Sequence, residues 1–170
     1  MRLVVADTGP LHYLVLIDEI GVLPVLANEV LIPSEVRDEL DQPRTPAPVR
    51  DWIAAPPAWL RIQSAPSAAA DLRLAKLDPG KRAAIALAAV VGADAVLMDD
   101  RAGVATARAG GLDAIGTLGL LQRGARRGLL DLPGALARLV ATNFHVRQEL
   151  LDALLAEDRA RRGDPKEGNR

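Results

Sequence analysis

A chain of 170 residues has the length of one domain able to bury a real core, and its 49% hydrophobic and 25% charged residues are the balance of a soluble globular protein. Aromatics are only 2%, which leaves few rings for stacking on single-stranded bases, and a net charge of −1 provides no global basic field, so a nucleic-acid contact needs a local patch. The absence of cysteine excludes disulfides, thiolate nucleophiles and cysteine-ligated zinc. Two separated histidines, His12 and His145, argue against an all-histidine metal site. No apolar run is long enough to span a bilayer, and Asp7 interrupts the first apolar stretch too early for a signal peptide. A cytoplasmic protein with no membrane contact is the expectation.

In chain order, Arg2 to Ala6 reads as a strand buried on both faces, stopped by the carboxylate of Asp7 and the turn residues Thr8-Gly9-Pro10. Pro10 to Ile20 is predicted to be a helix ended by Gly21, and Val22 to Ala27 a shorter helical piece. Glu29 to Ile32 is a brief strand before Pro33. Ser34 to Leu40 then forms a helix with Val36 and Leu40 inward and Glu35 and Glu39 sharing another face. The proline-rich stretch 42–58 holds a short helix around Val49 to Ile53 and is not a domain boundary. Trp59 to Gln63 is expected to be an edge strand burying Leu60 and Ile62, and Ala68 to Leu77 a helix.

Asp78-Pro79-Gly80 opens the clearest helix, with Asp78 as cap, Ala83 to Val91 as apolar run and Gly92 as its end. Ala95 to Met98 is a second buried strand that runs into carboxylates, Asp99 and Asp100. Arg101 to Ala109 is a helix, Ala114-Ile115 a last strand, and Leu118 to about Arg126 another helix. Leu132 to Thr142 and Arg147 to Arg161 complete the chain; Leu150, Leu151, Leu154 and Leu155 form the apolar stripe of the last helix. The alternation predicts one α/β domain over residues 1–162, with a short central parallel sheet flanked by helices, and a disordered tail at 163–170.

Two strands thus end in acids, Asp7 and the Asp99-Asp100 pair, and Glu39 is a third candidate. Carboxylates gathered in one cleft raise one another's pKa, a cost that a divalent cation removes. Mg²⁺ or Mn²⁺ takes hard oxygen ligands and can activate water beside a phosphoryl group. Acidic strand ends also belong to phosphatases and receiver domains, and a lone strand-end Asp also caps the following helix. No Gly-x-Gly-x-x-Gly and no Walker-type Gly-Lys-Ser/Thr is present, so dinucleotide and P-loop readings fail. Gly9 stands where a haloacid-dehalogenase-type phosphatase has its second Asp, and the Asp pair comes too late for a receiver domain.

Six stretches pace the chain: Val5-Ala6-Asp7-Thr8-Gly9-Pro10-Leu11; Ile32-Pro33-Ser34-Glu35-Val36 with Glu39-Leu40; Leu77-Asp78-Pro79-Gly80; Ala84-Ile85-Ala86-Leu87-Ala88; Leu97-Met98-Asp99-Asp100-Arg101; and Gly116-Thr117-Leu118-Gly119. In this series the chain resembles the PIN-domain family, and within it the VapC-like toxins and their prokaryotic relatives. The resemblance implies a three-layer PIN-like fold and metal-dependent endoribonuclease activity, in which a quartet of acids with Mg²⁺ or Mn²⁺ hydrolyses RNA. Asp7 matches the first acid, Glu39 the second, and Asp99 or Asp100 the last. It also implies a homodimer and a cognate antitoxin that blocks the cleft.

The chain departs from the family at the remaining acid. The family usually shows Gly-Glu before the Ala-Ile-Ala-Leu-Ala helix; here the residues are Gly80-Lys81, and Ala83 occupies the next position that is often acidic. One outcome is a single ion held by Asp7, Glu39 and Asp99 or Asp100. The other is a cluster neutralised by Lys81, and a PIN-like binding or regulatory module without catalysis. Thr8 and Thr117 either contribute hydrogen bonds to the cleft or cap their helices. His12 is either a general base or a structural residue. Arg101 and Arg108 stand near the cleft as candidate RNA contacts; Arg123, Arg126 and Arg127 either touch phosphates or complement a helix C-terminus.

Overall fold

Leu3–Ala6 forms β1, the middle of a five-stranded sheet in the computed structural model, which describes residues 1–67 and 71–163. The other strands are β2 (Glu29–Pro33), β3 (Leu60–Gln63), β4 (Ala95–Leu97) and β5 (Ala114–Ile115), and the order is β3-β2-β1-β4-β5. Every pairing is parallel; Val5 lies opposite Leu31 of β2 and Val96 of β4. All five strands therefore deliver their following residues to one edge.

The period-two alternation of strand side chains splits the interior into two layers. Val4, Ala6, Ile32 and Leu97 point to one face, against Leu11 and Leu14 of α1 (Thr8–Leu16), Leu40 of α3 (Ser34–Leu40) and Leu120 of α7 (Thr117–Arg126). Val5, Leu31, Val96 and Met98 point to the other, against Ala84, Leu87 and Ala88 of α5 (Pro79–Val91) and Ala107 of α6 (Arg101–Ala109). Short α2 (Leu23–Leu26), α4 (Ala47–Ala54), α8 (Leu132–Val140) and α9 (Gln148–Arg162) finish the first layer. The result is the three-layer α/β architecture, a parallel sheet between helices. No single helix among the described residues is long and apolar enough to cross a membrane.

Several ends differ from expectation. The first helix stops at Leu16 rather than near Gly21. Asp18 takes a left-handed φ of 59°, while the Glu19 N–H donates to the Leu14 carbonyl and the Asp18 N–H to that of Val15. This is a Schellman closure with aspartate in the place glycine usually fills. α5 ends as expected at Gly92, whose φ of 63° requires a residue without Cβ strain.

The helix expected over 68–77 is absent from its described part. Residues 68–70 lie outside the described residues, and 71–77 are turns closed by Leu74 N–H to Asp71 and Leu77 N–H to Leu74. Asp71 accepts from the Arg73 backbone and guanidinium, a local bond that competes with helix formation. Ile62, expected to be buried beside Leu60, is 42% exposed on β3, the edge strand of the sheet. Leu150, expected in the packed stripe of α9, is 46% exposed, whereas Leu151 and Leu154 are buried. The tail expected at 163–170 lies, beyond Gly163, outside the described residues.

Candidate functional site

Asp7 follows β1 directly and is 4% exposed, its backbone N–H donating to the Leu97 carbonyl across the sheet. It stands at the N-cap position of α1 but its side chain makes no capping bond, so the capping reading is not realised. Its Oδ1 is buried with no hydrogen-bond partner. Burial pushes the Asp7 carboxyl up from 3.8 to about 6; nearby Glu39 and Asp100 add to the rise, and the Thr8 backbone and the Lys81 ammonium oppose it.

Glu39 reaches the same place from α3. The Thr8 hydroxyl donates to Glu39 Oε2 at 3.0 Å, so Thr8 orients an acid from another element instead of capping its own helix. Gly80, in the first turn of α5, backs both acids: a Cβ there would lie 2.7 Å from Glu39 Oε2 and 3.7 Å from Asp7 Oδ1. Glycine is needed for α5 to approach them so closely.

The two acids after β4 diverge. Asp100 caps α6, its Oδ2 accepting the Gly103 N–H at 2.8 Å. Asp99 turns toward α7, where it accepts the Thr117 N–H on Oδ1 and the Thr117 hydroxyl on Oδ2, both at 2.7 Å. Gly116 holds the N-cap position of α7, so Thr117 is not the cap; it is fully buried and serves Asp99. Burial raises the Asp99 pKa, and the two Thr117 bonds only partly offset it.

Lys81 extends from α5 into this field. Its Nζ lies 3.1 Å from Asp78 Oδ2, and Asp78, expected as a side-chain cap, spends its carboxylate on this pair. Burial pulls the Lys81 pKa down, but the Asp78 bond and the charges of Asp7, Asp78 and Asp100 outweigh it and hold it above the ordinary value. Asp7, Glu39, Asp100 and Lys81 thus share one electrostatic neighbourhood, with Asp99 set to one side. Among the described residues, no group of three or more His, Asp or Glu side chains is arranged to hold a metal ion. The unpartnered Oδ1 of Asp7 nevertheless suits a cation, and Mg²⁺ commonly uses one or two carboxylates with water completing its shell.

Two hollows flank the acids. One of about 450 Å³ is lined by Glu35, Asp38, Glu39, Asp78 and Arg44 and is mostly acidic. The other, about 1070 Å³, includes Asp99, Asp100, Arg101 and Arg108 in its lining. It also takes Tyr13, Asn143, Phe144, His145 and Arg147. These last residues carried no sequence signal, because they come from α1 and from the connection between α8 and α9. His12 is packed edge-on to Tyr13 and burial lowers its pKa, which suits a structural residue. Arg126 pairs with Glu157 and Arg127 donates to the Val25 carbonyl, so both tie elements together.

No curated protein and no solved structure shows a significant match to the chain. A family model described as a PIN domain matches residues 3–159, nearly the whole chain, and its agreement with the parallel three-layer fold shows that the chain belongs to the PIN-domain family.

Proposed function

We propose that this chain is a metal-dependent endoribonuclease that hydrolyses RNA phosphodiesters at the acids gathered around Asp7. PIN domains are generally nucleases, and the reading rests on one observation above all: a buried carboxylate oxygen, Asp7 Oδ1, with no partner in the protein. Asp7 and Glu39 would hold Mg²⁺ or Mn²⁺, with Asp100 adding negative potential. A divalent ion there supplies an activated water and stabilises charge on the phosphoryl oxygens.

The remaining residues position these groups. Thr8 fixes the Glu39 carboxylate, Thr117 fixes Asp99, and Gly80 leaves room for both Asp7 and Glu39. Lys81 neutralises part of the cluster where the family usually has an acid. A toxin role, with a cognate antitoxin covering the cleft and a homodimeric assembly, belongs to the same proposal.

Lys81 also supports a second reading, a PIN-like module that binds without cutting, because its ammonium already answers the charge of Asp7 and Asp100. Incubating a labelled single-stranded RNA with the protein separates the two. The nuclease reading expects cleavage that requires Mn²⁺ or Mg²⁺, stops with chelator and disappears in Asp7→Asn. RNA that is bound but left intact at every metal concentration supports the second.

A further inference from the structure

The groove on the Asp99 side combines arginines with two aromatic rings that sit at the edge of the core. In a chain with one tyrosine and one phenylalanine, Tyr13 and Phe144 both line it, with ring centroids 4.9 Å apart and an interplanar angle of 85°. The Tyr13 hydroxyl donates to Asn143 Oδ1 at 3.0 Å, which ties the α8–α9 connection to α1. Both rings are half-buried and so keep accessible surface. Composition alone counts against base stacking; the fold gathers half of the aromatic residues into one place.

The same groove collects exposed cations. Arg101 and Arg108, seven residues apart on α6, fall on one helical face about 10 Å apart along the axis. Arg147 faces them from the start of α9. Among the described residues, none of the three pairs with a carboxylate, whereas Arg2, Arg61, Arg126 and Arg138 all do. The hollow on the other side of Asp7 is lined by four carboxylates and one arginine and would repel a polyanion.

We infer that the groove between α6 and the α8–α9 connection binds a single nucleic-acid strand, with Arg101, Arg108 and Arg147 on its phosphates and Tyr13 and Phe144 against its bases. This rests on the nuclease reading for its link to Asp7, and it adds a direction: the strand leaves the acids toward β5 and never toward α3. Unstacked bases are what exposed rings recognise, which favours a single strand over a duplex.

The test measures binding without catalysis, by fluorescence anisotropy of a labelled uridine dodecamer in chelator. Arg101→Gln, Arg108→Gln and Arg147→Gln are each expected to weaken binding several-fold and to reduce the salt slope by about 0.7. Arg123→Gln removes the same charge outside the groove and is expected to change nothing. Tyr13→Leu and Phe144→Leu are expected to weaken binding about fivefold or more with the slope unchanged, circular dichroism confirming the fold. Equal losses in Arg123→Gln and the groove variants overturn the inference. So does competition by a glutamate peptide of the same length with no effect of the ring variants, the signature of an acidic protein segment. Cleavage with unaltered binding in all groove variants defeats the groove alone. Groove-dependent binding with no cleavage at any Mn²⁺ concentration defeats the nuclease reading alone.

Discussion

Thr117 holds Asp99 with two bonds at once, its backbone N–H on Oδ1 and its hydroxyl on Oδ2, each at 2.7 Å. The first turn of α7 thereby sets the orientation of a carboxylate that belongs to the end of β4. Gly116 completes the arrangement, since a Cβ there would lie 2.8 Å from Asp99 Oδ1. Of the two acids after β4, Asp99 is the one anchored to α7, and it is the charge of Asp100 that adds to the raised pKa of Asp7.

Thr117→Val keeps the shape of the side chain and removes the hydroxyl donor. Asp99, half-buried at the groove, then loses that partner, which is expected to cost about 0.5–1.5 kcal/mol in urea denaturation. Thr117→Ser should restore most of the loss. Equal stability of wild type and Thr117→Val would show that the hydroxyl contributes nothing.

Asp7 makes stability depend on pH in a direction opposite to that of a salt-bridged acid. Its folded pKa of about 6 lies above the unfolded 3.8, so its contribution is fully present below 3.8 and is lost as pH rises through 6. In chelator, Asp7→Asn should match wild type near pH 3.5 and be more stable by up to about 3 kcal/mol at pH 8. Saturating Mn²⁺ should stabilise only the wild type and shrink that gap. Thermal melts across this range check both; a difference independent of pH would refute the assignment.

Lys81→Glu removes a positive charge from the field of Asp7 and Asp100 and adds an oxygen donor. Mn²⁺ affinity in calorimetric titration is expected to rise several-fold, with RNA cleavage at least as fast as wild type. Lys81→Met should fall between the two. If neither variant changes metal affinity, Lys81 serves only its pair with Asp78.

Gly80→Ala places a Cβ 2.7 Å from Glu39 Oε2. The glutamate must move and give up the Thr8 hydroxyl, while alanine improves the helix by up to about 1 kcal/mol. Folding stability should therefore change little and Mn²⁺ affinity fall. Thr8→Val should lower affinity in the same way, and unchanged affinity in both would remove Glu39 from the proposed ligands.

Asp158, 5% exposed on α9, accepts from Arg161 and Arg162, and Arg162 also reaches Asp131 beside α8. Asp158→Asn leaves both arginines able to turn to solvent, so the expected cost is about 1–2 kcal/mol rather than that of a stranded buried charge. Guanidinium denaturation measures it.

Much of this molecule is written locally in its sequence. Continuous apolar runs ending in Asp7 and Asp99 mark strands buried on both faces, because only a sheet covered on each side needs such continuity. Pro79 and Gly92 bracket α5 because one suits a first helical turn and the other a left-handed end. The parallel three-layer fold and the family follow from the order of these signals, as does the placing of Asp7, Glu39 and the Asp pair at strand and helix ends.

What the tertiary structure decided depends on neighbours far apart in the chain. β1 lies between β2 and β4, so Asp7 meets Glu39, Lys81 and Asp100 only once those non-consecutive elements pair and pack. Periodicity cannot tell that Thr8 serves Glu39 across 31 residues, or that Asp99 turns to Thr117 while Asp100 caps α6. The failed helix near 71–77 was decided by a side-chain bond, from Asp71 to Arg73, that competes with the backbone. The groove of Tyr13, Phe144 and Arg147 left no pattern at all, because its walls come from helix faces and a connection whose spacing in sequence carries no period.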